Sequence, residues 1–291
     1  MRACLTGSMN DSRPILVLGG TGTTGRRVAA RLTALDQPVR IGSRRGRPPF
    51  EWTDPATWPA AVEGTRAAYV VYVPDLTFPG GRERVARFAE VAIDAGVERL
   101  VLLSGRGEPA AQTSEAGLAA VADRAGARWS VVRSSWFAQD FSETFLRPSV
   151  LDGVIALPAA DVPEPFVDAD DIAAVAVAAL TEEGHATEVY EVTGPEPLTF
   201  AAAAEILTAV TGRPVTYVPV SADQFVAGAV SAGMPRDEAA HMAELFATVL
   251  DGRNAVPQDG VVRALGRPPR PFLDVIRTAA AAGVWALAVR A

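Results

Sequence analysis

Residues Ile15 to Arg27 read ILVLGGTGTTGRR, an apolar strand that runs directly into a glycine-rich turn and then into a helix start. Gly19, Gly22 and Gly25 give the spacing G-x-x-G-x-x-G. The first glycine permits a sharp turn, the second lets main-chain amides approach a ligand closely, and the third lets the helix pack against the strand. Free amides at a helix start, with the helix dipole behind them, favour a diphosphate. Thr21, Thr23 and Thr24 add hydroxyls to the same turn. A glycine triplet alone also serves as a plain tight connection, so the flanking sequence decides. Val28, Leu32 and Leu35 share one face of the helix that follows. A second strand, Pro38 to Gly42, comes about 20 residues later, as a βαβ dinucleotide unit requires.

The end of that second strand discriminates between dinucleotides. An NAD site commonly places an Asp or Glu there to hold the ribose 2′-hydroxyl. Here Gly42-Ser43-Arg44-Arg45 is followed by Gly46 and Arg47. A carboxylate repels a 2′-phosphate, whereas a guanidinium grips it through paired charge-assisted hydrogen bonds. The expected cofactor is therefore NADP(H) in preference to NAD(H), with Ser43, Arg44 and Arg45 at the 2′-phosphate. The plainer alternative is an arginine run that only solvates a loop.

The chain has 291 residues, 49% hydrophobic, with a formal net charge of −7. It is long enough to bury a large core as one extended α/β domain or a domain with a small lobe. The acidic balance argues against a nucleic-acid partner, which needs a broad basic face. The apolar stretches Ile172 to Leu180 and Thr278 to Val289 fall well below the ~20 residues of a membrane span. The single cysteine, Cys4, gives neither a disulfide framework nor a thiolate metal site, and a reducing cytoplasm fits. His185 and His241 are too few and too scattered for zinc, so no metal is expected. Residues 1–13 lack a signal-peptide core and are expected to form a disordered leader. Within them Gly7-Ser8-Met9 reads as an expression-tag remnant or an upstream start.

Along the chain, strands and helices alternate. Phe50 to Trp52 reads as a short third strand, Asp54-Pro55 opens a helix through Val62, and Ala67 to Val73 is an apolar run suited to a parallel strand covered on both faces. Helix Glu83 to Ala95 then leads to strand Leu100 to Leu103, and helix Glu115 to Ala125 to strand Trp129 to Val132. This is the pattern of a doubly wound parallel α/β sheet, the Rossmann fold, over residues 14–150. Ligands of such a sheet lie over the carboxyl ends of the strands, placing Pro74, Asp75, Ser104, Ser134, Ser135 and Trp136 at the rim. From about residue 151 prolines multiply and a smaller, mainly helical lobe is expected to 291, completing the substrate pocket and interleaved with the core. That lobe reads as a helix opened by Asp168-Ala169-Asp170-Asp171, strand Val189 to Val192, helix Phe200 to Val210, strand Val215 to Val218 and then mostly helix. The acids at 168, 170 and 171 suit helix capping better than metal binding. Ser221 with Gln224 forms a capping box.

The glycine loop, Ser104-Gly105-Arg106-Gly107, Arg133-Ser134-Ser135-Trp136-Phe137-Ala138-Gln139, Pro165-Phe166-Val167-Asp168 and Thr193-Gly194-Pro195 together resemble the NmrA-like branch of the atypical short-chain dehydrogenase/reductases. The resemblance covers nearly everything after residue 13. It implies either an NAD(P)H-dependent reductase of quinones, dyes or natural-product intermediates, or a redox sensor that binds the dinucleotide and turns over nothing. It also implies that Pro74 and Ser104 flank the ribose and nicotinamide.

The superfamily's usual Tyr-x-x-x-Lys pair is missing. The chain contains no lysine, and no tyrosine lies between Tyr72 and Tyr190; the helix carries Glu115 and Ala119 instead. Without the pair, Ser104 either orients the nicotinamide or simply ends a strand, and no catalytic residue is assigned. A quinone, enone, iminium or dye cation delocalises charge itself, so positioning carries the catalysis. Trp136 and Phe137 are expected to line a pocket for such a flat substrate, with other rim aromatics split between pocket and core. His241 is either a titratable donor there or a helix-packing residue. The expectation is an NADPH-dependent oxidoreductase acting on a flat conjugated small molecule. The alternative is a non-catalytic NADP(H) sensor working through a protein partner. Oligomeric state is open, a homo-oligomer included.

Overall fold

The computed structural model describes residues 12–286. Nearly all of the expected leader, including Cys4, lies outside the described residues, as does the end of the Thr278 to Val289 stretch. The first half alternates β1 (Ile15–Leu18), α1 (Thr23–Ala34), β2 (Val39–Gly42), α2 (Trp58–Val62), β3 (Ala67–Val70), α3 (Gly81–Asp94), β4 (Arg99–Gly105), α4 (Pro109–Ala125) and β5 (Arg128–Ser134). The second half holds α5 (Arg147–Asp152), β6 (Val154–Leu157), α6 (Ala169–Thr181), β7 (Glu188–Val192), α7 (Phe200–Thr211), β8 (Thr216–Pro219), α8 (Ala222–Ser231), α9 (Arg236–Val249), α10 (Gly260–Leu265) and α11 (Phe272–Ala281).

Six strands form one all-parallel sheet in the order β2-β1-β3-β4-β5-β7. Period-two alternation sends Leu16, Leu18, Ala68, Val70, Leu100 and Leu102 to one face, where Val85 and Phe88 of α3 and Leu118 of α4 cover them. Ile15, Val17, Ala67, Tyr69, Val101 and Val132 face the other way, onto Val28 and Leu32 of α1 and the apolar α6. Both faces are thus buried, which is why the strands are nearly continuous apolar runs. The chain passes from β1 to β2 on one side and to β3 on the other, so the sheet reverses direction at β1/β3. Open α/β sheets bind ligands at that crevice.

Past residue 150, β7 completes this sheet at its edge and α6 and α10 pack on it, while β6 pairs with β8 in a separate two-stranded sheet. That second sheet joins α5, α7, α9 and α11 around Phe141, Phe166, Phe200, Phe246 and Phe272. Asp168 caps α6 by accepting from the Asp170 amide at 2.9 Å. The neighbouring acids are spent on arginines: Asp168 on Arg270 at 2.9 Å and Asp171 on Arg267 at 2.7 Å. The Ser221–Gln224 capping box forms as expected. Among the described residues no cluster could hold a metal ion, and no helix is long and apolar enough to cross a membrane.

The expected strand Phe50 to Trp52 is not one. Pro48 and Pro49 supply no amides, and the segment is spent on a tight Glu51–Asp54 bridge. Its rings instead plug the sheet edge: Phe50 and Trp52 pack on Trp58 and Phe88, and the Trp58 indole donates to the Glu51 carbonyl at 2.8 Å. β3 also stops at Val70 rather than Val73. Beyond it the Val71 carbonyl accepts from the Trp52 indole at 2.9 Å, and the chain leaves the sheet towards a cis Val73–Pro74 bond.

Candidate active site

The glycine turn lies at the switch point. Gly19 has φ +62°, and the Gly22 amide closes the turn by donating to the Gly19 carbonyl at 2.8 Å. A Cβ on Gly25 would lie 2.2 Å from the Gly19 oxygen, so α1 approaches β1 as only glycine allows. Gly22 caps α1 with no side-chain acceptor, and the helix's first turn carries no acid. Its leading amides are therefore open to an anion, with Thr21 and Gly22 exposed above them. Thr23 is half-buried, and Thr24 is buried beside the Tyr69 hydroxyl beneath the turn. These residues fit a dinucleotide diphosphate.

At the end of β2 the Ser43 carbonyl accepts from the Gly46 and Phe50 amides, both at 2.9 Å, fixing a turn. Arg44 and Arg45 project from it, exposed and with no ion pair or hydrogen bond among the described residues. The arginines of α1 are already engaged: Arg27 with Glu143 at 2.6 Å and Arg31 with Asp170 at 3.1 Å. Pro74 is exposed on the β3–α3 connection.

Across the switch point, a cleft of about 280 Å³ opens between the strand ends and α9. Trp136, Phe137, Phe145, Met242, Leu245 and Phe246 make its walls mostly apolar. Trp136 packs against Phe246 with ring centroids 5.1 Å apart. His241 lies beside this cleft, not in its lining: its ring packs at a tilt against Phe78, centroids 4.0 Å apart, and Nε2 is 2.9 Å from the Thr77 hydroxyl. That hydroxyl donates to Asp75 at 2.6 Å, so the imidazole donates in turn to Thr77. His241 thus fastens α9 to the β3–α3 loop.

A closed ion-pair network fills the place of the missing tyrosine–lysine pair. Ser104 donates to Glu115 at 2.6 Å, and Arg133 clamps the same carboxylate through two nitrogens. Arg133 continues to Glu191 at 2.9 Å, and Arg106 reaches Glu191 at 3.1 Å and the Asn254 carbonyl at 2.6 Å. Ser104 and Glu115 are 3% and 6% exposed, so the Ser104 proton is committed to a neighbour.

Three other carboxyl groups hold protons tightly. Burial, reinforced by the charges of Asp75 and Glu115, pushes Glu108 up to about 8. Burial pushes Asp140 up to about 7 against a hydrogen bond from Thr144 at 2.8 Å. Glu164, fully buried behind Trp136, is pushed by burial up to about 7. Glu108 and Asp140 line the cleft. None of these acids was identified from sequence: the helix expected from Glu115 begins at Pro109, directly after Glu108, and Glu164 stands in the proline-rich stretch where the alternation of strands and helices loosens. An acid directly after the Gly105–Gly107 pair at a strand end was the available signal.

No family model matches the chain. An uncharacterized oxidoreductase, YesF, of Bacillus subtilis is 33% identical over 289 residues, covering 95% of this chain and 98% of that protein. An NAD(P)H azoreductase of Xenophilus azovorans is 32% identical over 296 residues, covering 92% and 98%. Among solved structures, the triphenylmethane reductase of Citrobacter complexed with NADP(H) superposes with a TM-score of 0.72 at 22% identity, over 91% of this chain and 99% of that one.

Proposed function

The chain belongs to the family of NAD(P)H-dependent oxidoreductases that includes the azoreductase, and from that premise we propose that it reduces flat, conjugated small molecules, with NADPH preferred. The NmrA-like branch of the atypical short-chain reductases is the subgroup its motifs fit best. The observation that carries the reading is the adjacency of an anion-binding glycine turn and an aromatic-walled cleft at one switch point. The residues assigned to the diphosphate are Gly19, Thr21, Gly22, Thr23, Thr24 and Gly25. Ser43, Arg44 and Arg45 hold the 2′-phosphate, the two guanidinium groups being without protein partners among the described residues. Pro74 and Ser104 border the nicotinamide end.

When bound, the reduced nicotinamide supplies hydride. The protein's part is to hold the acceptor plane between Trp136, Phe246 and the strand ends and to exclude water from its faces. Stacking on aromatic rings suits a delocalised acceptor. With Ser104, Glu115 and Arg133 mutually saturated, the alkoxide chemistry of a tyrosine–lysine pair has no counterpart here.

The test is to mix the protein with NADPH and a panel of quinones, azo compounds and cationic dyes and follow the loss of nicotinamide absorbance. Turnover with flat acceptors and none with simple alcohols or ketones is expected. Tight NADPH binding with no turnover of any acceptor would favour the sensor instead.

A further inference from the structure

We propose that Glu108 is the proton donor of this reduction: its carboxyl group hands a proton to the oxygen or nitrogen of a neutral quinone, enone or azo acceptor as that atom gains charge. The inference rests on the reductase reading above and extends it to one residue and one class of acceptor.

Glu108 directly precedes α4, yet its side chain does not cap that helix. It folds back over the end of β4, where a Cβ on Gly105 would lie 2.0 Å from Oε1 and 2.3 Å from Oε2, so the carboxyl takes space that only glycine leaves free. It borders the cleft and makes no side-chain hydrogen bond or ion pair among the described residues. Glu115, by contrast, is saturated by Ser104 and Arg133. A half-buried acid with neither a capping nor a pairing role, open to a substrate cleft, is placed for proton transfer.

The groups around it keep the proton on. Asp75 from the β3–α3 loop and Glu115 from α4 oppose a negative charge there, and with burial they leave Glu108 protonated up to about pH 8. Asp140 lines the same cleft and is engaged by Thr144. Arg106, the one basic residue of the lining, is turned to Glu191 and to the Asn254 and Val256 carbonyls. His241 is held outside the lining by Thr77. Glu108 is thus the cleft acid that stays protonated furthest above neutral pH and whose carboxyl has no hydrogen-bond partner among the described residues.

The step balances. The acceptor gains two electrons and one hydrogen as hydride, and the Glu108 O–H bond breaks as a new O–H or N–H bond forms on the product. The carboxylate left behind recovers its proton from water at the mouth of the cleft. A triarylmethyl cation takes hydride and needs no proton.

The experiment compares Glu108→Gln with the wild type on a neutral quinone and on a triarylmethyl cation, with NADPH in both cases. For the quinone, kcat falls about 10²-fold or more relative to the cation, with little change in KM. The wild-type quinone rate declines as pH rises past about 8, while the dye rate does not share that limb. Independently of turnover, the infrared carbonyl stretch of a protonated carboxylic acid titrates near pH 8 in the wild type and is missing from E108Q. Equal losses on both acceptors, or none on either, would overturn the donor role, as would the absence of that infrared band at neutral pH. A wild type that reduces neither acceptor overturns the reductase reading itself, and the donor role with it.

Discussion

Gly25→Ala puts a carbon where the fold has no room. The added Cβ would lie 2.2 Å from the Gly19 oxygen, 2.7 Å from the Gly19 carbonyl carbon and 2.9 Å from the Gly20 Cα. Comfortable carbon–oxygen contact begins at about 3.3 Å, so α1 and the turn must part by roughly 1 Å. All three neighbours are main chain and cannot swing aside as a side chain does. Overpacking of this kind costs about 1–3 kcal/mol, a fall in Tm of roughly 2–12 °C for a chain of this size. Amides displaced by about 1 Å also lose charge-assisted hydrogen bonds to the diphosphate, each worth about 1.5–3 kcal/mol. Two such losses weaken the coenzyme roughly 10²- to 10⁴-fold, for NADPH and NADH alike. Titration calorimetry beside a thermal melt measures both effects. Gly228→Ala is the control: in α8 its Cβ would meet nothing within 4 Å. It should add about 0.5–1 kcal/mol of stability and leave binding alone. A folded G25A protein that binds NADPH within roughly threefold of wild type would refute the cradle.

Arg44→Ala with Arg45→Ala should weaken NADPH about tenfold or more and NADH hardly at all, by calorimetry; equal weakening would remove the 2′-phosphate role. Glu115→Ala leaves Ser104 and Arg133 without their shared acceptor, and breaking a buried pair costs about 3–5 kcal/mol, read as a lower denaturation midpoint. Glu115→Gln, which still accepts from Ser104, should cost less, and equal costs would show that the charge contributes nothing. Burial lifts Glu164 from 4.5 to about 7. The folded state therefore binds this proton more tightly than the unfolded one. The associated stability is complete below about pH 4.5, is lost as pH rises through 7, and amounts to about 3 kcal/mol. Asp140 acts in the same direction. Melts of Glu164→Gln from about pH 5 to 8 should be flatter than wild type, and parallel curves would contradict the assignment.

The glycine turn, the parallel sheet and the helix caps were legible because each is a local rule: glycine where a backbone approaches, continuous apolar runs where both faces are covered, Ser or Asp before free amides. Phe50–Trp52 misled because aromatic residues favour strands and also plug edges, and the difference lay in the flanking prolines. β6 and α5 were missed because Val154–Leu157 finds its partner, β8, about 60 residues away. The missing tyrosine–lysine pair could be read directly, but not what replaced it. Glu115 gains its meaning from Arg133 on the next strand and Ser104 on the preceding one, and Glu108 from the empty space above Gly105. His241 was expected in the pocket, but it lies outside the lining because its ring is spent on Thr77 and Phe78.

The central claim is that the glycine turn and the aromatic cleft act on one reaction, and a single-turnover mixing experiment tests it most directly. Protein loaded with stoichiometric NADPH is mixed with a flat quinone, and nicotinamide absorbance and quinone are followed together. The account predicts that both are lost in one phase at one-to-one stoichiometry, and that Gly25→Ala abolishes the phase at the same coenzyme concentration. Retention of NADPH absorbance by a protein that has bound both molecules would contradict it.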